Sequence, residues 1–148
     1  MTLPTAHILR RAGQWSGAHD LVTLSYEERF LRRRRLVSVQ GEAFLVDLPE
    51  TVSLGHGDAL ELADGRLIEV IAAEEWLYEV TGDLARLAWH IGNRHAPCQI
   101  EPDRLLIRRD HVLRDMLERL GAGICEISAP FTPEGGAYGH GRIHGHEH

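Results

Sequence analysis

The sequence predicts an α+β protein in which a small all-β domain precedes a domain of mixed strands and helices. The first observation is a series of short apolar and polar alternations between Leu21 and Ile71, a pattern typical of strands. The second is a change of period after Ala73, where apolar residues begin to recur at helical spacing. The third is the loss of any period from Ala129 onward, which predicts a mobile tail.

The first domain, residues 1–73, consists of strand-length runs separated by turn residues. Asp64-Gly65 lies between two alternating runs, which is a strong signal for a β-hairpin. Ser25–Arg29 is the one short segment in this half with helical character. The predicted strands are Leu21–Leu24, Leu36–Val39, Ala43–Val46, Ala59–Leu62 and Leu67–Val70.

Residues 74–138 are predicted to form a βαββαβ unit, the order of the ferredoxin-like fold. The first helix follows Asp83, a suitable N-cap, and ends at Gly92-Asn93, residue types that adopt the left-handed conformation at helix ends. The second helix stops at Gly121. The apolar helix stripes are Leu84, Leu87, Ala88, Ile91 and Val112, Leu113, Met116, Leu117, Leu120, and the strands are Glu75–Val80, Cys98–Glu101, Arg104–Arg108 and Ile124–Ile127.

Composition narrows the classes of function. The 148 residues carry a net charge of -6, which argues against general binding to nucleic acids or anionic membranes. Arg32–Arg35 opposes this balance, as either a functional basic patch or a solvated strand edge. The sequence has no membrane-length apolar run and no signal-peptide pattern, so we expect a cytoplasmic protein. Two separated cysteines, Cys98 and Cys125, fit a reducing compartment.

Histidines are the candidate metal ligands in the second domain. His95 follows the first predicted helix, where an imidazole is either a capping residue stabilised by the helix dipole or a ligand. His111 follows Asp110, a candidate N-cap, at the start of the second helix and carries the same ambiguity. His90 is expected to pack or to be partly exposed. Cys98, three residues after His95, could reach the same surface.

The last residues, 139–148, form a histidine-rich segment containing His140, His144, His146 and His148. Neutral imidazole suits Ni, Zn, Cu and Co, so a mobile strand with several histidines can wrap one ion. Because such a strand must become ordered when it binds, it should form a weaker and less selective site than a preorganised one. The alternative is a purification tag, although the histidines are interrupted.

Sequence motifs of catalysis are absent. The chain has no phosphate-binding loop of the P-loop type, no Gly-x-Ser-x-Gly elbow and no His-Glu-x-x-His pair. A metal-dependent hydrolase recruiting His95, Asp110 and His111 is an alternative, but their spacing matches no enzyme motif. An RNA-binding module is a second alternative, although the predicted strands lack the aromatic and basic signature.

Three groups of residues in the second half resemble the UreE family of urease accessory nickel metallochaperones. They are Gly92-Asn93-Arg94-His95-x-Pro97 followed by Gln99-Ile100, Asp110-His111-Val112-Leu113 with Met116-Leu117 and Leu120-Gly121, and Phe131-x-Pro133-Glu134-Gly135-Gly136-Ala137-Tyr138 before a histidine tail. The first half agrees with the family in its β-rich character.

This resemblance implies a carrier that delivers Ni(II) for assembly of the urease active site and is not itself an enzyme. It implies a homodimer formed through the ferredoxin-like domain, in which His95 of each subunit binds one shared nickel ion across the twofold axis. Tail histidines complete or feed this site, and Zn(II), Cu(II) or Co(II) are expected to bind in vitro. The implied partners are the urease GTPase accessory protein UreG and the urease maturation complex. A storage protein for nickel, zinc or copper is the alternative.

Two features of the resemblance concern other parts of the chain. The family's peripheral metal site uses a His-x-His pair, but here Arg109 occupies the first position beside His111. Because a guanidinium has no lone pair to donate, Arg109 cannot supply the first ligand of such a site. The first domain is expected to bind a partner or peptide, and Arg32–Arg35 is a candidate docking surface.

Overall fold

The computed structural model describes residues 2–135, which divide into two compact units. The first unit ends at Ala73 and the second begins at Glu74. The predicted histidine-rich tail, residues 139–148, lies outside the described residues. None of the helices in residues 2–135 is long and apolar enough to cross a membrane.

The first unit is a curled sheet of six strands in the order β2-β6-β5-β1-β4-β3. The sheet is mixed, because β1 is parallel to β4 and β2 is parallel to β6. Val39, just after β3, donates to the Leu21 carbonyl on β2 at 2.7 Å, which brings the two ends of the sheet together. The strands are β1 Thr5–Arg10, β2 Ala18–Leu24, β3 Phe30–Val37, β4 Ala43–Ser53, β5 Ala59–Leu62 and β6 Leu67–Ala72.

Apolar side chains on the inner face of this sheet form the core of the first unit. Alternation along β4 and β6 directs every second residue inward, as expected for strands that are buried on one face. The fully buried residues include Phe44, Leu60, Leu62 and Ile68. This core is separate from that of the second unit.

Three predictions in the first half are wrong. Thr5–Arg10 is a strand that the sequence analysis missed, and β3 begins at Phe30, six residues before the predicted start at Leu36. Ser25–Arg29 forms one hydrogen-bonded turn and no helix. The Ser25 hydroxyl accepts from the Glu28 N–H at 3.3 Å while the Glu28 carboxylate accepts from the Ser25 N–H at 2.8 Å. This reciprocal cap is typical of a helix start, and β3 follows directly after it.

The second unit has helices and strands in the order β-α-β-β-α-β. Its four antiparallel strands lie in the order β10-β7-β9-β8. The elements are β7 Glu74–Thr81, α1 Leu84–Asn93, β8 Gln99–Ile100, β9 Leu105–Arg108, α2 His111–Arg119 and β10 Gly123–Pro130. Leu87 and Ile91 of α1 and Leu113 and Leu117 of α2 form one apolar core with residues of β7 and β9, including Leu105.

Regular structure in the second unit continues beyond Ala129, where the sequence predicted that it ends. Ala129 and Pro130 belong to β10 and pair with Glu75 and Glu74 of β7. The next residue, Phe131, has no exposed surface. The prediction that the chain loses its structure at Ala129 is therefore wrong, because strand pairing and a buried aromatic ring hold this segment.

Candidate metal-binding site

The candidate site begins at the C-terminal end of α1. The His95 N–H donates to the Gly92 carbonyl at 2.9 Å, and the Ala96 N–H donates to the Ile91 carbonyl at 3.3 Å. These two bonds form the Schellman motif, which satisfies carbonyls that the helix leaves without partners. His95 occupies the position that needs a left-handed backbone, and its φ is 59°. The residue types of Gly92-Asn93 predicted the left-handed conformation there, and this prediction is wrong because the helix continues through Asn93.

The second helix of the unit ends in the same motif with a different residue. The Gly121 N–H donates to the Glu118 carbonyl and the Ala122 N–H to the Leu117 carbonyl, both at 3.0 Å. Gly121 has a φ of 88°. Glycine is usual at this position because it has no Cβ to clash, whereas other residues lose about 1–2 kcal/mol there. His95 is the one non-glycine residue with positive φ in residues 2–135.

The position of His95 in the chain is fixed by its neighbours. His95 is half-buried and follows the C-terminal end of α1, the end that carries the partial negative charge of the helix dipole. Ala96, next along the chain, packs against the core that contains Ile91. This apolar contact accompanies many Schellman motifs and fixes the backbone on both sides of His95.

The chain returns to this region after β10. The Glu134 N–H donates to the Cys98 carbonyl at 2.9 Å, and the Thr132 N–H donates to the Gln99 side-chain oxygen at 2.8 Å. Phe131, which directly precedes Thr132, is fully buried. The last described residues are therefore held against a segment that begins three residues after His95.

Gln99 connects this anchor to the sheet. Its side-chain nitrogen donates to the Glu101 carboxylate at 2.8 Å. Arg104 donates to the other oxygen of Glu101 at 2.9 Å and to Glu79 on β7 at 2.8 Å. A chain of charge-assisted bonds thus fixes the Gln99 side chain that receives the Thr132 N–H.

Cys98 has the properties of a packing residue. Burial, together with the nearby charge of Glu134, raises the pKa of the Cys98 thiol to about 11. The side chain packs against the core of the second unit. Because metals bind the thiolate, a thiol that stays protonated at neutral pH is a poor ligand in this environment.

His111 lies elsewhere on the unit, at the start of α2. Asp110 caps this helix by accepting from the Val112 and Leu113 N–H groups at 2.9 and 3.2 Å. The His111 side chain is exposed and lines an open groove of about 520 Å³. The other residues that line this groove are His90, Arg94, Val112, Asp115, Met116, Arg119 and Leu120.

The structure thus brings His111 together with His90, and His95 does not line their groove. His90 was not predicted to belong to a site. The groove joins residues at the end of α1 with residues of α2, so no local pattern in the sequence indicated it. Arg109, in place of the expected histidine, forms an ion pair with Glu126 at 3.5 Å. Residues 2–135 contain no group of three or more His, Cys, Asp or Glu side chains arranged to hold a metal ion.

Comparison with known proteins covers almost the whole chain. The model of the UreE urease accessory protein, N-terminal domain, matches residues 3–73. The model of the C-terminal domain of the same protein matches residues 67–148. The chain belongs to the UreE family. This is a family of accessory proteins and not of urease catalytic subunits.

Individual relatives agree with the family assignment. The urease accessory protein UreE of Ruegeria pomeroyi is 68% identical over 149 residues, covering all of both chains. That of Cereibacter sphaeroides is 61% identical over 147 residues, covering 99% of this chain and 81% of the relative. That of Rhodobacter capsulatus is 63% identical over 137 residues, covering 93% of this chain and 88% of the relative.

Proposed function

We propose that this protein is a cytoplasmic nickel carrier that delivers Ni(II) for assembly of the urease active site. In this proposal the second unit is a ferredoxin-like domain through which two copies form a homodimer. His95 from each copy binds one shared nickel ion, and the ion passes to UreG within the urease maturation complex. The chain itself performs no catalysis. Zn(II), Cu(II) and Co(II) occupy the same ligands in vitro, because imidazole binds all these metals.

The observation that carries this proposal is the backbone of His95. A left-handed non-glycine residue costs free energy, and such residues concentrate at functional sites. His95 takes this conformation where the other helix of the same unit has glycine. The side chain, and not the backbone, therefore accounts for the choice of histidine over glycine.

A shared site explains how a single half-buried imidazole can hold an ion. In a twofold-symmetric dimer the same residue of both copies meets at the axis, so one histidine supplies two ligands. Two protein ligands leave other coordination positions open, whereas a structural zinc site is closed by four. Open positions favour exchange of the ion, which a carrier requires.

The anchored segment supports participation of the tail histidines. His140 follows Glu134 by six residues, so an extended chain between them spans at most about 20 Å. We infer that His140, His144, His146 and His148 complete the shared site or supply ions to it. His111 is a separate, weaker ligand, because Arg109 replaces its expected neighbour and is paired with Glu126.

The test is calorimetric titration of nickel into the intact protein, His95→Ala, and a truncated protein ending at Gly139, with oligomer mass measured in parallel. His90→Ala is the matched control, because His90 is also half-buried on the C-terminal turn of α1 but lines the other groove. We expect His95→Ala to abolish the tightest site at one ion per dimer. The truncation removes His140, His144, His146 and His148 and should lose only the weaker ions. His90→Ala should bind nickel as the intact protein does.

The opposite pattern overturns the proposal. If His95→Ala binds nickel as tightly as the intact protein, the twofold histidine pair does not operate. If only the truncation abolishes binding, the tail is the main site and a storage protein is the better description. Loss of the tightest site in His90→Ala would instead place the ion in the groove shared with His111.

A further inference from the structure

Strand β3 forms one edge of the sheet in the first unit. β3 is the last strand of its sheet and pairs with β4 on one side. Within residues 2–135 no strand pairs with its other side, and the one backbone bond from this end of the sheet to β2 is made by Val39, beyond the end of β3. An unpaired edge presents N–H and C=O groups that can accept a further strand.

Four consecutive arginines occupy this edge, and all four are exposed. Pairing between β3 and β4 shifts between Leu31 and Arg33, so Arg32 lies at an irregularity. From Arg33 to Val37 the pairing is regular, with Arg33 opposite Asp47 and Val37 opposite Ala43. The regular part of the edge is therefore five residues long, which is a usual length for a strand.

Arg33 and Arg35 lie on one face of the strand and have no internal partner. Because side chains alternate along a strand, these two are about 7 Å apart on the same face. Neither guanidinium group forms a hydrogen bond or an ion pair with any other described residue, although Asp47 is directly opposite Arg33. By contrast, Arg32 donates to the Leu48 carbonyl at 3.2 Å and Arg34 to the Glu28 carbonyl at 3.4 Å.

We infer that the edge from Arg33 to Val37 binds an extended acidic segment of a partner protein as an additional strand. Carboxylates at alternate positions of such a segment have the spacing of Arg33 and Arg35 and can form charge-assisted hydrogen bonds with them. Main-chain bonds along the edge supply affinity, and the two guanidinium groups supply selectivity for acidic residues. This inference concerns the first unit alone and does not rest on nickel binding.

The charge pattern favours this occupant over a nucleic acid. The chain carries a net charge of -6, so the arginine edge is a local exception on an acidic protein. A nucleic-acid surface usually extends over a larger basic area. Two arginines at strand spacing beside free main-chain groups match a single extended peptide.

The experiment uses the full-length protein and a short synthetic peptide in which glutamate alternates with valine. Binding is followed by fluorescence anisotropy of a labelled peptide at fixed ionic strength. The decisive variants are Arg33→Gln with Arg35→Gln, and the matched control is Arg32→Gln with Arg34→Gln. Both pairs remove the same charge from the same strand, and a thermal unfolding curve of each confirms that the first unit remains folded.

We expect the Arg33 and Arg35 pair to weaken binding about tenfold or more, and the control pair to weaken it by less than about threefold. A peptide of the same composition with its glutamates in one block should bind at least about tenfold more weakly, because its carboxylates miss the strand spacing. Equal losses in both variants, or equal affinity for both peptides, would mean non-specific charge attraction and overturn the inference. Tighter binding of a single-stranded RNA than of the alternating peptide would overturn it as well.

Discussion

The two helices of the second unit end in the same hydrogen-bonded motif, but one motif contains histidine and the other glycine. At α2, Gly121 takes the left-handed conformation without steric cost. At α1, His95 takes the same conformation with a side chain present. Glycine satisfies the backbone at this position, so the histidine at α1 carries a cost in stability that the proposed nickel binding would account for.

Both motifs depend on a buried residue one turn before the helix end, and removing it should have the largest effect. The carbonyls of Ile91 and Leu117 accept equivalent bonds, and both side chains have no exposed surface. We expect Ile91→Ala and Leu117→Ala each to lower the free energy of unfolding by about 2–5 kcal/mol, because each leaves a cavity. Urea denaturation measures this loss. A loss below about 1 kcal/mol in either variant would show that this end does not rely on its core contact.

Replacing Gly121 with histidine measures how much a side chain at the left-handed position of α2 lowers the free energy of unfolding. A Cβ added at Gly121 meets no atom within 4 Å, so Gly121→His changes mainly the backbone preference. We expect the free energy of unfolding to fall by about 1 kcal/mol. The measurement is again urea denaturation, with the slope compared to that of the intact protein. An unchanged midpoint would mean that left-handed histidine carries no cost in this motif.

The reverse exchange separates stability from metal binding. His95→Gly should raise the free energy of unfolding by up to about 1 kcal/mol, because glycine adopts the left-handed backbone freely. The same variant should lose the tightest nickel site in calorimetry. A protein that becomes less stable would show that contacts of the imidazole outweigh the backbone cost.

The N-terminal ends of the same helices offer a smaller contrast. Asp110 accepts from two backbone N–H groups of α2, whereas Asp83 accepts from one in α1, at 3.3 Å. We expect Asp110→Ala to lower the free energy of unfolding by about 0.5–1 kcal/mol, and Asp83→Ala by about half of that. Thermal unfolding of both variants should preserve this order. Equal shifts would mean that the second bond of Asp110 adds nothing.

The sequence predicted the helix ends and the elements of the second half because these signals are local. N-caps, apolar stripes and the stop at Gly121 depend on residues within one or two turns. The left-handed residue at α1 was misplaced for the same reason. Gly92-Asn93 has the usual residue types, whereas the hydrogen bond from Ala96 to Ile91 and the packing of both residues in the core place the left-handed residue two positions later, at His95.

The errors in the first half have non-local causes. β3 lacks a simple alternation because the irregularity at Arg32 places its buried residues, Leu31 and Leu36, an odd number of positions apart. β1 presents few apolar inward positions, with Ala6 alone fully buried along it. Such a strand is fixed by its neighbours β4 and β5, which lie far away in the sequence.

The sequence predicted which histidines are candidate ligands, but it did not predict how the structure arranges them. The position of His95 at a helix end followed from the sequence, whereas its backbone conformation did not. The pairing of His90 with His111 in one groove required the packing of two helices. The hydrogen bonds from Thr132 and Glu134 to the Cys98–Gln99 segment join residues more than thirty positions apart, beyond the reach of any local pattern.

Those two hydrogen bonds have a kinetic consequence. A ligand attached to a fixed point near a site is present there at an effective concentration in the millimolar range, whatever the dilution of the protein. The histidines after Glu134 are attached in this way close in sequence to the segment that follows His95. If nickel moves between these histidines and His95 as proposed, that movement is first order, with a rate constant that does not change as the protein is diluted.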